Sequence, residues 1–295
     1  MHLCRENSQK HPVTKTRIAV TGGKGGTGKS MLSTALAVEL AKRHSVLLAD
    51  VDVDCPDDHL ILSIEREKIK DVEQDLPVID REKCIKCGKC ADACRENAII
   101  FSKETGPRFI EDQCTGCTAC MIACPVDAIG RKKRISGRIY RGKGNGVELL
   151  SAEIEPGQKE GSPIVNSAKE TLSGMKNKWE IEIMDTAAGT HCTVISAVRD
   201  CSAAFVVGEA TPLGAHDLEL ILELLSVLGV PAYIVMNKAG TGDDSLIEDI
   251  AKKRGLEIVA RIPYSREIAE AYSQGRPVEH PEIEKIAEIA RKMIK

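Results

Sequence analysis

Aromatic side chains are scarce in this sequence: one Trp, four Tyr and three Phe make up 3% of 295 residues. Stacking platforms for single-stranded nucleic acid need such rings, so the composition argues against that function. Long apolar runs are missing too. No stretch of 18 apolar residues occurs, and the N-terminal MHLCRENSQKHPVTKTR lacks the apolar centre of a secretion signal, so a cytoplasmic chain with no stable membrane anchor is expected. Its first 16 residues (1–16) read as a polar tail. Neither sign of charge dominates: 41 Lys and Arg against 44 Asp and Glu leave a net −3. Nucleic acid therefore has no overall pull, and partners must be argued from local sites.

Hydrophobic residues make up 42% of the chain, enough for one ample core with a small satellite domain. From Arg17 onward, short β-branched runs alternate with helical patterns: RIAVT, a helix over 28–43, then SVLLAD ending at Asp50. The alternation resumes with WEIEIMD at Trp179, AAFVV at Ala203, PAYIVMN at Pro231 and LEIVARI at Leu256. Such alternation marks βαβ units, so the expected fold class is α/β with a mostly parallel, doubly wound sheet.

Residues 74–135 interrupt the pattern with closely spaced Cys, Gly and Lys, which places an inserted domain there and the α/β domain at 17–73 and 136–295. The insert repeats itself with an offset of 30 residues: Cys84, Cys87, Cys90, Cys94, Ala98 and Ile99 recur as Cys114, Cys117, Cys120, Cys124, Ala128 and Ile129. Two copies of one small unit imply a pseudo-twofold module. Twelve cysteines in a chain without a secretion signal point to metal ligation rather than disulfides, since eight lie at ligand spacings. Behind the insert, Arg131 to Gly146 carries seven Lys or Arg and reads as a solvated return hairpin or linker, with a docking surface for an acidic partner as the alternative.

GGKGGTGKS, Gly22 to Ser30, follows a strand and opens a helix, the context of a Walker A loop. Backbone N–H groups around Gly23, Gly25, Gly26, Thr27 and Gly28 can close on phosphate oxygens at a helix N-terminus, where Lys29 reaches the β- and γ-phosphates and Ser30 can ligate Mg2+. In WEIEIMDTAAG, Asp185 ends an apolar strand as a Walker B carboxylate does, with the Gly189 N–H available to sense a γ-phosphate.

The extra early Lys24 makes the loop resemble the deviant Walker A motif of the MinD, ParA, Mrp and nitrogenase iron protein family. VLLADVDVDCP, Val46 to Pro56, looks like the second-strand motif of the same family, and TPLGAHDLELILELL, Thr211 to Leu225, extends the match. The resemblance implies an ATPase that forms a homodimer with ATP, in which Lys24 reaches the facing subunit's nucleotide. It also implies that Asp52 orients the attacking water, Asp50 supports Mg2+, and Asn237 in YIVMNK contacts adenine. Ala239-Gly240 departs from the NKxD pattern of GTPases, which favours ATP.

Each cysteine run has the C-x2-C-x2-C-x3-C spacing of two-cluster bacterial ferredoxins, whose fourth cysteine serves the other cluster. One 4Fe-4S cluster is then expected on Cys84, Cys87, Cys90 and Cys124, the other on Cys114, Cys117, Cys120 and Cys94. A pair of zinc sites is the alternative, and the doubled four-cysteine run exceeds ordinary tetrahedral zinc motifs. Arg95 stands where the motif has proline, and a cation there would raise the potential of the nearer cluster unless solvent screens it. Cys4, Cys55 and Cys201 read as inert thiols. Cys192 lies seven residues after Asp185, much as the nitrogenase iron protein places a bridging-cluster cysteine, but the interval holds no partner cysteine.

Together these motifs resemble MinD-superfamily ATPases with an inserted ferredoxin domain, which implies an ATP-driven dimer that delivers electrons to, or matures, a partner metalloprotein. An Mrp-type cluster carrier is the alternative, and no C-terminal CxxC pair supports it. A MinD-like positioning switch would use the C-terminal PEIEKIAEIARKMIK, whose mixed-charge polar face suits a helix packed on the core better than one on an anionic membrane.

Overall fold

The computed structural model describes residues 16–175 and 179–294. Most of the expected tail, with Cys4, lies outside the described residues. The chain runs β1 (Thr16–Thr21), α1 (Lys29–Ala41), β2 (Val46–Val51), α2 (Asp58–Ile61) and β3 (Arg66–Ile79). It continues through α3 (Lys89–Asp92), β4 (Ile99–Ser102), β5 (Gly106–Phe109), α4 (Ala119–Ile122), β6 (Ile129–Gly144) and β7 (Val147–Ile154). Then follow α5 (Ser162–Gly174), β8 (Ile181–Thr186), α6 (Cys192–Val198), β9 (Ala203–Glu209), α7 (Pro212–Leu228) and β10 (Ala232–Ala239). The chain closes with α8 (Ser245–Arg254), β11 (Ile258–Pro263), α9 (Arg266–Ser273) and α10 (Pro281–Met293).

Nine strands form one sheet in the order β11-β10-β9-β1-β8-β2-β7-β6-β3. Its pairs are parallel from β11 to β7 and antiparallel at the β7-β6-β3 edge. The central strands are apolar on both sides because helices cover both faces. In β1, Ile18 and Val20 join the core under α1 and α10, while Ala19 faces the core under α5, α6, α7 and α8. Helix ends follow the same local logic. Thr211 caps α7 by accepting from the Gly214 N–H, Pro212 opens the helix, and Gly229 at φ 69° closes it.

The C-terminal α10 buries Ile283, Ile286, Ala287 and Ala290 in the α1 core. Its apolar face is therefore occupied by the fold, and none of the described helices is long and apolar enough to cross a membrane.

Residues 129–144 form β6, bound to β7 through the Asn145-Gly146 turn, both with positive φ, as a tight hairpin requires. Strands β3 and β6 pair from Arg66↔Gly142 to Ile79↔Ile129, but β7 accompanies them only between 137 and 144. The other half is a two-stranded ribbon that extends roughly 25 Å past the sheet at the usual strand rise. The expected insert boundaries at 74 and 135 fall in mid-strand, and the cysteine runs hang from the ribbon's far end. The module has its own small core of Cys90, Ile99 and Cys120, shared with no residue of the sheet's cores.

The internal repeat is visible in the backbone. Lys86 and Gly116, Gly88 and Thr118, and Asn97 and Asp127 each sit 30 residues apart, and all six have positive φ. The Ala98 N–H meets the Cys94 sulfur at 3.2 Å, and the Ala128 N–H meets the Cys124 sulfur at the same distance.

Candidate functional site

The loop after β1, the acidic loop after β2 and the end of β8 meet at the C-terminal edge of neighbouring strands, where Asp185 pairs in register with Val20 and Asp50. Open α/β sheets bind their ligands at this edge. Gly23 to Gly28 enclose the phosphate cradle. A Cβ on Gly23 would lie 2.2 Å from the Asp217 carbonyl oxygen, so only glycine lets the loop pass α7. Gly28 has φ +96°, and its Cβ would strike the Asn237 amide at 2.3 Å. The Asn237 Nδ2 donates to the Thr27 carbonyl at 2.7 Å, and the Lys238 Nζ donates to the Gly26 carbonyl at 3.2 Å. Asn237 thus braces the loop from behind, an anchor its sequence context does not reveal. Gly25 and Gly26 are exposed, Thr27 and Lys29 are buried, and Gly189 donates its N–H to the Gly22 carbonyl at 3.1 Å.

The carboxylates behind this cradle are short of partners. Asp50, Asp58 and Asp185 are all fully buried, and five of their six carboxylate oxygens make no hydrogen bond. The sixth, on Asp50, accepts the Asp58 N–H at 3.2 Å. Asp50, Asp57 and Asp58 bring ligand atoms within 4.8 Å of one another. Burial pushes Asp185 up to about 7, against the opposing pull of the Ser30 hydroxyl and the Lys29 ammonium. Burial also raises Asp50 and Asp58 well above the carboxylate range, with Asp185 the next cause for both. Asp52 is half-buried and raised by burial, with Lys29 opposing. Buried carboxylates short of hydrogen-bond partners, with only Lys29 as a nearby cation, fit a hard divalent cation with oxygen ligands, and the cradle fits phosphate. The sequence reading overlooked Asp57 and Asp58; their signal was a second acidic pair, PDD, at the start of a helix just past the DVD motif. Lys24, half-buried, has no side-chain hydrogen bond or ion pair among the described residues.

In the module, the eight cysteines line two small pockets. Cys94, Cys114, Cys117 and Cys120 line one, and Cys84, Cys87, Cys90 and Cys124 line the other, so each set takes its last member from the opposite run. No disulfide joins them. Burial raises the thiols of Cys90 and Cys114, and that of Cys120 to about 11. Four convergent sulfurs in an apolar pocket fit an iron-sulfur group, which requires thiolates. Arg95 is exposed, so solvent weakens its field at the cavity. Outside the module, Cys55 and Cys192 are exposed. Cys201 is buried, its thiol pushed to about 12 by burial, which marks an inert core residue.

Residues 18–278 match the CobQ/CobB/MinD/ParA nucleotide binding domain. The chain belongs to this family. Among curated proteins it is 33% identical over 261 residues to an uncharacterized protein of Methanocaldococcus jannaschii, covering 88% of this chain and 89% of the relative. A short stretch of 53 residues, 18% of the chain, is 43% identical to pyruvate synthase subunit PorD of the same organism and spans 62% of that subunit. Another of 55 residues is 36% identical to an uncharacterized ferredoxin from it, 18% of the chain and 71% of that protein. Among solved structures, the septum site-determining protein MinD of Pyrococcus horikoshii in complex with Mg-ADP superposes with TM-score 0.59 at 18% identity, covering 95% of this chain and 97% of MinD. That likeness gives the fold, a MinD/ParA-type P-loop sheet, and the family match makes the site one for a nucleotide.

Proposed function

We propose that this family member is an ATP-hydrolysing, nucleotide-dependent homodimer that carries two 4Fe-4S clusters and delivers electrons to, or matures, a partner metalloprotein. The observation that carries the reading is the gathering of eight cysteines into two crossed sets of four, on a module joined by two continuous strands to the P-loop sheet. The ferredoxin-like stretches, each about as long as the module, support it.

When bound, the clusters supply one-electron storage, and Mg2+ neutralises charge on the transferring phosphate. The chain's own residues do the rest. The loop from Gly23 to Gly28 would bind phosphate through its N–H groups, Lys29 would reach the β- and γ-phosphates, and Ser30, Asp50 and Asp185 would hold the cation directly or through water. Asp52 orients the attacking water. Gly189 releases the Gly22 carbonyl and turns its N–H to the γ-phosphate, while Asn237 offers adenine what its bond to Thr27 leaves free. Lys24, without a side-chain partner among the described residues, completes the facing subunit's site. ATP then favours a closed dimer, which changes how the β3-β6 ribbon presents the clusters.

The test is anaerobic purification with iron, sulfide and zinc analysis, followed by a redox titration with and without ATP. About eight irons and eight labile sulfides per chain are expected from two complete ligand sets. Stoichiometric zinc without sulfide rejects the reading.

A further inference from the structure

The two halves of the module share a backbone but differ sharply in surface chemistry. Around the cavity of Cys84, Cys87, Cys90 and Cys124, the first run exposes Lys83, Ile85, Lys86 and Lys89. Ile85, 61% exposed, and Val126, 38% exposed, line the cavity and reach solvent at once. Thirty residues on, the same positions hold Gln113, Thr115, Gly116 and Ala119, with no cation and no large apolar side chain.

The ribbon packs on part of that second half. The Gln74 amide and the Arg134 guanidinium both donate to the Cys114 carbonyl, and a Cβ on Gly116 would lie 2.3 Å from Gln74. Its neighbouring cations share two carboxylates: Lys132 pairs with Glu111, which Arg134 approaches to 3.7 Å, and Arg131 and Lys133 both pair with Asp75. On the first half, Lys86 donates only to the Glu104 carbonyl, which leaves its charge uncompensated, and Lys89 has no partner among the described residues. Lys83 has a loose contact of 3.7 Å with Asp80. Two apolar side chains over one sulfur set, ringed by three exposed lysines, form a desolvatable centre with a charged rim, the anatomy of a transient protein interface.

We propose that this rim is the docking face for an acidic one-electron carrier protein, so that electrons enter or leave through the Cys84/Cys87/Cys90/Cys124 set, while the ribbon packs beside the other set. The proposal rests on the iron-sulfur reading of the module. In the exchange, one electron passes between the outer cluster and the partner's centre; one is oxidised as the other is reduced, and no bond or proton is required. Charge complementarity selects the partner: a protein with carboxylates around its own redox centre fits the lysines, and its apolar centre fits Ile85 and Val126.

The probe is a purified acidic flavodoxin, mixed anaerobically with the full-length protein in a stopped-flow instrument over a range of salt. Charge reversal of the rim in the Lys83→Glu/Lys86→Glu/Lys89→Glu variant should lower the second-order exchange rate roughly 10-fold or more at low ionic strength, the difference shrinking as salt rises. The control, Lys132→Glu/Lys133→Glu, alters charge on the ribbon side and should lower it far less. Iron and sulfide are measured first in every variant, and Ile85→Ser, which keeps all lysines, is a second reporter expected to slow exchange with little change in salt dependence. Wild-type protein without clusters rejects the function proposed above, and the docking face with it. Loaded variants with wild-type rates, or an equal loss in the ribbon control, overturn the docking face alone. Lysine-dependent binding to anionic phosphatidylglycerol vesicles or duplex DNA, stronger than to flavodoxin, overturns the choice of a protein partner.

Discussion

Lys24 and Lys29 share one glycine-rich loop yet sit differently. Lys29 is buried beside Asp185 and Asp52, whereas the half-buried Lys24 has no partner among the described residues. A cation acting in trans on transition-state charge lowers the barrier by several kcal/mol, so Lys24→Ala should cut ATP turnover by roughly 10- to 1000-fold. Single-subunit nucleotide binding should persist, because Lys29, Ser30 and the loop N–H groups remain. Phosphate release and sedimentation with ATP check this, with Lys29→Ala as the binding control; normal turnover and association in the Lys24 variant reject the composite site. The buried carboxylates give a second residue-level expectation, for protein stripped of metal and nucleotide. Burial holds a proton on Asp185 up to about 7, against an ordinary value of 3.8. Between those values the folded state binds more protons than the unfolded state, so stability falls as pH rises through the window. One such group contributes a slope of up to about 1.4 kcal/mol per pH unit. The Tm in EDTA should therefore drop between about pH 4 and 7 and level off above that, and Asp185→Asn should flatten the drop. An unchanged slope in the variant would show that other groups govern it.

At the scale of elements, the crossing of the two cysteine runs makes each short helix responsible for both cavities. Cys124 follows α4 yet faces Cys84, Cys87 and Cys90, and Cys94 follows α3 yet faces Cys114, Cys117 and Cys120. Cys124→Ser is expected to degrade the cluster of the first run and spare the other, with Cys94→Ser doing the reverse. Electron paramagnetic resonance of the reduced variants separates the two outcomes, and damage confined to each cysteine's own run would contradict the crossing. The β3-β6 ribbon shows why the insert's edges were hard to read: RKKRISGRIYRGKG looks like a linker because edge and ribbon strands keep polar side chains exposed. Its pairing with β3, equally charged along REKIKD, and over 137–144 with β7 makes it a strand.

For the whole molecule, the module's core shares no residue with the cores that sandwich the sheet, so the two units should respond separately to their ligands. Removing iron with a chelator under air is expected to unfold the module, since ligand binding and folding are coupled in small metal domains. The stabilisation of the sheet by ATP should survive, about 2.7 kcal/mol at 100 times Kd. Calorimetry with and without ATP checks this, and loss of the ATP effect along with the iron would mean that the site depends on the module. Local signals were enough for the alternating α/β pattern, the glycine loop between strand and helix, and the cysteine repeat, because each is a matter of spacing within a few tens of residues. Other features depended on which distant segments meet: Asp58 behind Asp50, Asn237 and Lys238 gripping the P-loop, Gly23 pressed on Asp217, and Gln74 and Arg134 of the ribbon packed on the second cysteine run. These contacts cross from 8 to more than 200 residues of chain, and sheet order and the ribbon's register, which no local pattern encodes, decide them.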